Sequence, residues 1–271
     1  MRIGSREFSV LGHTYVMGIL NVTPDSFSDG GKWNDMDRAL YHVEEMLTEG
    51  ADVVDIGGES TRPGYTEVSV QEEIHRVAPV IEAVKARFDV PVSLDTCKSE
   101  VAGEGISAGA DLINDIWGLK YDNGMAGLIA ESGRPCCLMH NRKNAEYHDF
   151  MKNLTDELAE TLKLAEMAGI RRDRIILDPG VGFAKSFEQN LKVIGRLEEL
   201  KGLGCPLLLG CSRKSVVGLT LDLPADQRLE GTLATTVLAV VKGCMFVRVH
   251  DVKENVRAIK MTEAVLEGGT R

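Results

Sequence analysis

Polar or charged residues close each of eight short apolar runs in this 271-residue chain. Asn21 follows 15–20, Asp55 lies at the end of 52–56, Asp95 follows 91–94 and Asn114 follows 111–113. His140 follows 135–139, Asp178 follows 174–177, Ser212 and Lys214 follow 206–209, and Arg248 with His250 closes 245–249. One polar residue at the end of an apolar run is unremarkable; a full set is hard to explain by structure alone. Buried carboxylates and amides need hydrogen-bond partners, and a polar heterocycle would supply them. Asp95, Asn114 and Asp178 can accept and donate along the edge of a flat, nitrogen-rich ring, and Lys214 can reach a ring oxygen or nitrogen. Arg62, Arg248 and His250 have no acidic sequence neighbour except Asp251, so they suit phosphate oxygens. Asn21 offers a neutral oxygen of the kind that Mg²⁺ takes beside diphosphate oxygens.

Such a set works only if the chain brings the run ends together. The runs are rich in Val, Ile and Leu, too short for buried helices and without strict alternation, which suits parallel strands covered on both faces. Helical patterns lie between them, clearest in Leu154, Leu158, Leu162 and Ala165, then at 229–242 and 252–266. Gly50, Gly109, Gly169 and Gly243 stand where those helices should stop. About eight strand-then-helix units predict an α/β fold, a (β/α)₈ TIM barrel whose strand ends share one active rim. Residues 2–13 read as a small β-hairpin with Gly12 in its turn, plugging the barrel bottom. A doubly wound sheet is the competing architecture. Nothing divides the chain, so 1–271 reads as one domain.

The balance of 41 acidic against 31 basic residues gives a net charge of −10, which argues against a general nucleic-acid binder. There is no long apolar run for a membrane span and no apolar signal-peptide core after Met1 and Arg2. Six cysteines without metal-type spacing read as reduced and mostly buried. The expected compartment is the cytoplasm.

Two segments rich in glycine and small polar residues follow the first two runs. They are Asn21-Val22-Thr23-Pro24-Asp25-Ser26-Phe27-Ser28-Asp29-Gly30-Gly31 and Asp55-Ile56-Gly57-Gly58-Glu59-Ser60-Thr61-Arg62-Pro63-Gly64. Together with Ser93-Leu94-Asp95-Thr96, Ile113-Asn114-Asp115, Leu177-Asp178-Pro179-Gly180, Ser212-Arg213-Lys214-Ser215 and Val247-Arg248-Val249-His250-Asp251, in this order, they resemble the motifs of the dihydropteroate synthase family. One departure is Ile116-Trp117-Gly118, where that family usually has a small residue before glycine.

The resemblance implies a pterin-binding barrel that joins 6-hydroxymethyl-7,8-dihydropterin diphosphate to p-aminobenzoate, giving 7,8-dihydropteroate and diphosphate. By position it implies that Asp95, Asn114, Asp178 and Lys214 hold the pterin. Arg248 and His250 would hold the diphosphate, with Asn21 helping to bind Mg²⁺. Thr61, Arg62, Pro63, Phe27, Phe183, Ser212 and Lys214 would frame the p-aminobenzoate pocket, which sulfonamides also occupy. Asp29 and Arg62 would complete the closed, catalytic state with Asp95 and Lys214. The partners implied are the two small substrates and a second copy of the chain, met through late helices such as 229–242. The rival readings are a corrinoid methyltransferase that shares the pterin contacts, and a non-catalytic pterin-binding subunit. The long segments and the cationic strand ends favour the synthase. His140 reads as structural, and Asp115 as either a cap or a pterin contact.

Overall fold

The computed structural model describes residues 1–23, 32–59 and 67–268, with only the backbone for 32–35. Phe27, Asp29, Thr61, Arg62 and Pro63 lie outside the described residues. After a two-stranded hairpin, β1 (Arg2–Ile3) and β2 (Arg6–Glu7), the barrel strands run as β3 (Tyr15–Asn21), β4 (Val53–Gly57), β5 (Val92–Asp95), β6 (Leu112–Asp115), β7 (Cys136–Met139), β8 (Ile175–Asp178), β9 (Leu208–Leu209) and β10 (Phe246–Val249). Between them come α1 (Lys32–Glu49), α2 (Val70–Arg87), α3 (Ser99–Ala108), α4 (Met125–Ser132), α5 (Phe150–Ala168), α6 (Phe187–Gly195), α7 (Ser215–Leu221), α8 (Leu229–Val241) and α9 (Val252–Leu266). Where the sequence suggested one helix after the seventh barrel strand, α7 precedes α8.

The eight parallel strands are ordered β8-β7-β6-β5-β4-β3-β10-β9. A parallel bridge from Leu177 to Leu207, with the Leu177 amide on the Pro206 carbonyl at 2.9 Å, joins the two ends. The sheet is therefore a barrel, and the doubly wound alternative falls. Glycines at 50, 109 and 169 adopt φ of +105°, +112° and +93° directly after α1, α3 and α5, the left-handed geometry that ends a helix at low steric cost.

Strand side chains alternate between faces, so each barrel strand sorts its residues into two sets. The outward set, including Leu20, Val54, Ile56, Leu94, Ile113, Leu138 and Leu177, packs beneath the helices. A separate inner cluster joins Met17, Val53, Leu112, Cys137, Ile176, Leu208 and Phe246 to Ile3 and Phe8 from the N-terminal segment. The hairpin segment thus plugs the barrel bottom, with the Phe8 ring 5.5 Å from that of Phe246. Its turn differs from the expected one. Arg2 pairs with Glu7 and Ile3 with Arg6, so the two-residue turn is Gly4-Ser5, and Gly12 lies beyond the hairpin.

Candidate active site

Two residues beyond the inner apolar layer, alternation brings Asp55, Asn114, Asp178 and Arg248 inward on β4, β6, β8 and β10. Register aligns Asn21, Gly57, Asp95 and Asn114 across four neighbouring strands. The rim inferred from the run ends is thus one physical surface at the C-terminal mouth of the barrel.

Arg248 lies at its centre. Its Nε donates to Asp55 Oδ2 at 2.6 Å and its Nη2 to Asp95 Oδ2 at 2.7 Å, while Asn114 Nδ2 donates to the same Asp55 oxygen at 3.3 Å. The expectation that Arg248 lacks an acidic neighbour holds along the chain and fails in space, because its partners come from β4 and β5. Asp251 pairs instead with Arg213, through Nε at 3.0 Å and through Nη2. Burial works against the Arg248 charge, but Asp55 and Asp95 more than offset it and raise its pKa.

The carboxylates are only half satisfied. Asp55 Oδ1 and Asp95 Oδ1 are buried without a hydrogen-bond partner among the described residues, and so is Ser93 Oγ beneath them. Burial drives the Asp95 pKa up to about 7, against Arg248 and with help from Asp55. Unpaired buried acceptors are costly, so this mouth calls for a donor that the described residues do not supply.

Asp178 faces them across the barrel. Its Oδ1 accepts the Gly180 amide at 2.7 Å, and burial raises its pKa against the pull of Lys214. Gly180 has φ +71°, and a Cβ there would lie 2.0 Å from the His140 carbonyl, so no larger residue fits this turn. Lys214 Nζ donates to the Val181 carbonyl at 2.5 Å and stands 4.8 Å from the Phe183 ring centre. Burial lowers its pKa, with Asp178 opposing. Gly210 forms the floor between these groups. A Cβ on it would lie 3.5 Å from Asp178 Oδ2 and 3.7 Å from Lys214 Nζ, so glycine keeps the space between the two groups open. Gly57 does the same near Asn21, with its would-be Cβ 3.9 Å from Asn21 Oδ1 and 3.8 Å from Asp95 Oδ2.

Ser212 and His250 form a pair at the seam of β9 and β10. The His250 amide donates to Ser212 Oγ at 3.2 Å, and that hydroxyl lies 3.0 Å from His250 Nδ1. With the backbone as one donor to Oγ, the Ser212 proton can go to Nδ1, which leaves Nε2 as the imidazole's other polar atom.

Other residues have partners within the protein. Both Asp115 oxygens accept backbone amides, from Trp117 at 2.9 Å and Leu119 at 2.7 Å, which makes it the cap of the turn after β6. Trp117 is half-buried with its ring 6.1 Å from Tyr121, on the rim. His140 is buried between Glu157, 3.1 Å from Nε2, and Lys185, 3.0 Å from Nδ1. Burial, then the Lys185 charge, pull its pKa down to about 2, so it is neutral. Sequence reasoning missed Lys185 and the partnership of Asp55 with Arg248. A lysine two residues past Phe183 in a glycine-rich turn was the available signal for the first; the second had none.

A family described as pterin binding enzyme matches residues 17–250. The dihydropteroate synthase of Clostridium beijerinckii is 57% identical over 98% of this chain and 99% of its own. A crystal structure of dihydropteroate synthase from Clostridium difficile in the presence of pteroic acid superposes with a TM-score of 0.92 at 50% identity, covering 94% of this chain and 98% of that one. A Xanthomonas albilineans dihydropteroate synthase with 4-aminobenzoic acid gives a TM-score of 0.90 at 44% identity, covering 94% of this chain and 93% of that one.

Proposed function

The chain belongs to the pterin-binding enzymes, among the dihydropteroate synthases, and we propose from that membership and the rim geometry how its residues divide the work. The reaction joins 6-hydroxymethyl-7,8-dihydropterin diphosphate to p-aminobenzoate, releasing diphosphate and 7,8-dihydropteroate. In our reading the 2-amino-pyrimidine edge of the pterin donates to Asp95 and Asp178, whose burial demands such donors, while Asn114 and Lys214 meet the remaining ring acceptors. The observation that carries this is the orphaned, buried Asp95 Oδ1 opposite Asp178.

Arg248 and His250 hold the diphosphate. As the bond from the exocyclic carbon to the diphosphate oxygen breaks, both electrons leave with diphosphate and positive charge spreads over the dihydropterin. Asp95 offsets that charge, and donors from Arg248 and His250 stabilise the leaving group. The arylamine nitrogen then forms the new C–N bond and releases its proton to solvent; a weak nucleophile suffices for so electrophilic a carbon. Phe183, Ser212 and Lys214 frame the arylamine, supported by the Lys214–Phe183 contact, together with Phe27, Thr61, Arg62 and Pro63. Asp29 and Arg62 complete the closed state.

Mg²⁺ is part of the proposal: Asn21 would offer it one neutral oxygen beside the oxygens of the diphosphate. When bound it supplies charge neutralisation to the leaving group. The second copy of the chain is supported by α8, which exposes Val237, Leu238 and, at 54%, Val241, and by α7, whose Leu219 is 67% exposed. The cytoplasmic reading is supported by six free cysteines, five of them buried, and no helix among the described residues is long and apolar enough to cross a membrane.

Diphosphate release tests the function. It should require both the pterin diphosphate and p-aminobenzoate. Release at the same rate without p-aminobenzoate, or methyl transfer from methyltetrahydrofolate, would overturn the reading.

A further inference from the structure

The turn after β8, residues 180–185, carries both the Val181 carbonyl that holds Lys214 and the Phe183 ring beneath its ammonium. Three of its residues sit at positive φ: Gly180, Gly182 and, unusually for a residue with a Cβ, Ala184 at +43°. A backbone of this kind persists only where its surroundings over-determine it. Besides the Phe183 amide on the Gly180 carbonyl at 3.1 Å, its tethers come from side chains. Asn190 Oδ1 accepts the Gly182 amide at 2.6 Å, and Tyr147 Oη donates to the Ala184 carbonyl at 2.9 Å. Lys185 Nζ turns back to donate to the Phe183 carbonyl at 3.0 Å and to His140 Nδ1 at 3.0 Å.

Lys185 thereby ties the turn to the end of β7. His140 is itself fixed, by its amide on the Asp178 carbonyl at 2.9 Å and by Nε2 against Glu157, which Arg142 also approaches at 3.5 Å. The two acceptors of the Lys185 ammonium are both protein atoms beside the site.

We propose that Lys185 is a positioning residue of the arylamine subsite: through the Phe183 carbonyl and His140 it sets the pitch of the Phe183 ring against Lys214. The inference rests on the reading of Phe183, Ser212 and Lys214 as that subsite. Burial lowers the Lys185 pKa to about 7. A neutral amine still carries two N–H donors, enough for both acceptors, so the tether survives on either side of that pKa.

The test is steady-state kinetics of Lys185→Met, Lys185→Gln and Phe183→Ala with p-aminobenzoate and pterin diphosphate varied separately. Lys185→Met should raise the KM for p-aminobenzoate about tenfold while changing kcat and the KM for pterin diphosphate by less than about threefold. Lys185→Gln keeps a donor for the Phe183 carbonyl and should recover most of that loss, which a merely structural role would not predict; it also stands alone if the methionine variant does not fold. A p-aminobenzoate KM unchanged by Lys185→Met but raised by Phe183→Ala would overturn the positioning role alone. So would a collapse of kcat at constant KM, or glutamine as poor as methionine. If Phe183→Ala also left that KM unchanged, the subsite reading would fail and the positioning role with it.

Discussion

Arg248 donates Nη2 to Asp95 Oδ2 at 2.7 Å while the other oxygen of Asp95 is buried with no partner among the described residues. One half of the carboxylate is held by Arg248, and on the proposed reading the other takes a pterin N–H. Burial places its pKa near 7, above the 3.8 of an ordinary aspartate. The folded, ligand-free protein therefore binds this proton more tightly than the unfolded chain, and its stability falls as pH rises from about 4 to about 7, then levels.

Pterin affinity should run the opposite way. Ring N–H donors need the carboxylate, so the pterin Kd should weaken as pH falls below about 7, by up to about tenfold per unit. Calorimetry between pH 8 and 6 reads this directly. Asp95→Asn should lose the slope along with affinity; a slope that persists in the variant would assign the titration elsewhere.

Arg248→Ala removes the cation between two buried carboxylates. Breaking one side of a buried pair typically costs about 3–5 kcal/mol, and the loss in urea unfolding should be larger at pH 8 than at pH 6, where Asp95 can take up a proton. The same variant should weaken binding of the pterin diphosphate much more than binding of a pterin without it. Equal losses for both ligands would remove Arg248 from the diphosphate site, and an unchanged unfolding midpoint would contradict its pairing with Asp55.

Gly210→Ala separates folding from binding. The added methyl meets nothing closer than 3.5 Å, so stability should stay within about 1 kcal/mol of the parent. It would nonetheless occupy the floor between Asp178 and Lys214, and pterin affinity should fall at least about tenfold. Full pterin affinity in the variant would show that the ring does not lie over Gly210.

The barrel was legible because both faces of its strands are buried: parallel strands then appear as unbroken apolar runs, and residues such as Asp95 and Asp178 stand out at their ends. The helix stops were legible because Gly50, Gly109 and Gly169 adopt left-handed backbone. The hairpin turn was misplaced because Gly4 and Gly12 both offer positive φ, at +58° and +85°, and only strand pairing chooses between them. Arg248 shows the harder limit. Its carboxylate partners are 193 and 153 positions away, so no local pattern announces them. Lys185 was missed because a lone loop lysine usually points into water, and its burial follows from where β7 places His140.

Arg62 lies outside the described residues, and its role is a prediction from the second glycine-rich segment. Arg62→Ala should chiefly raise the KM for p-aminobenzoate, with little effect on pterin diphosphate binding. Unchanged steady-state kinetics would remove that segment from the arylamine pocket.

The central claim is that the carboxylates left unsatisfied at the barrel mouth are the pterin site. A crystal structure of the chain with 6-hydroxymethyl-7,8-dihydropterin diphosphate tests it most directly. The amino-pyrimidine edge should lie within hydrogen-bond distance of Asp95 Oδ1 and Asp178, with the diphosphate beside Arg248 and His250. A pterin ring bound away from both carboxylates, with Asp95 Oδ1 still unpartnered, would contradict the account.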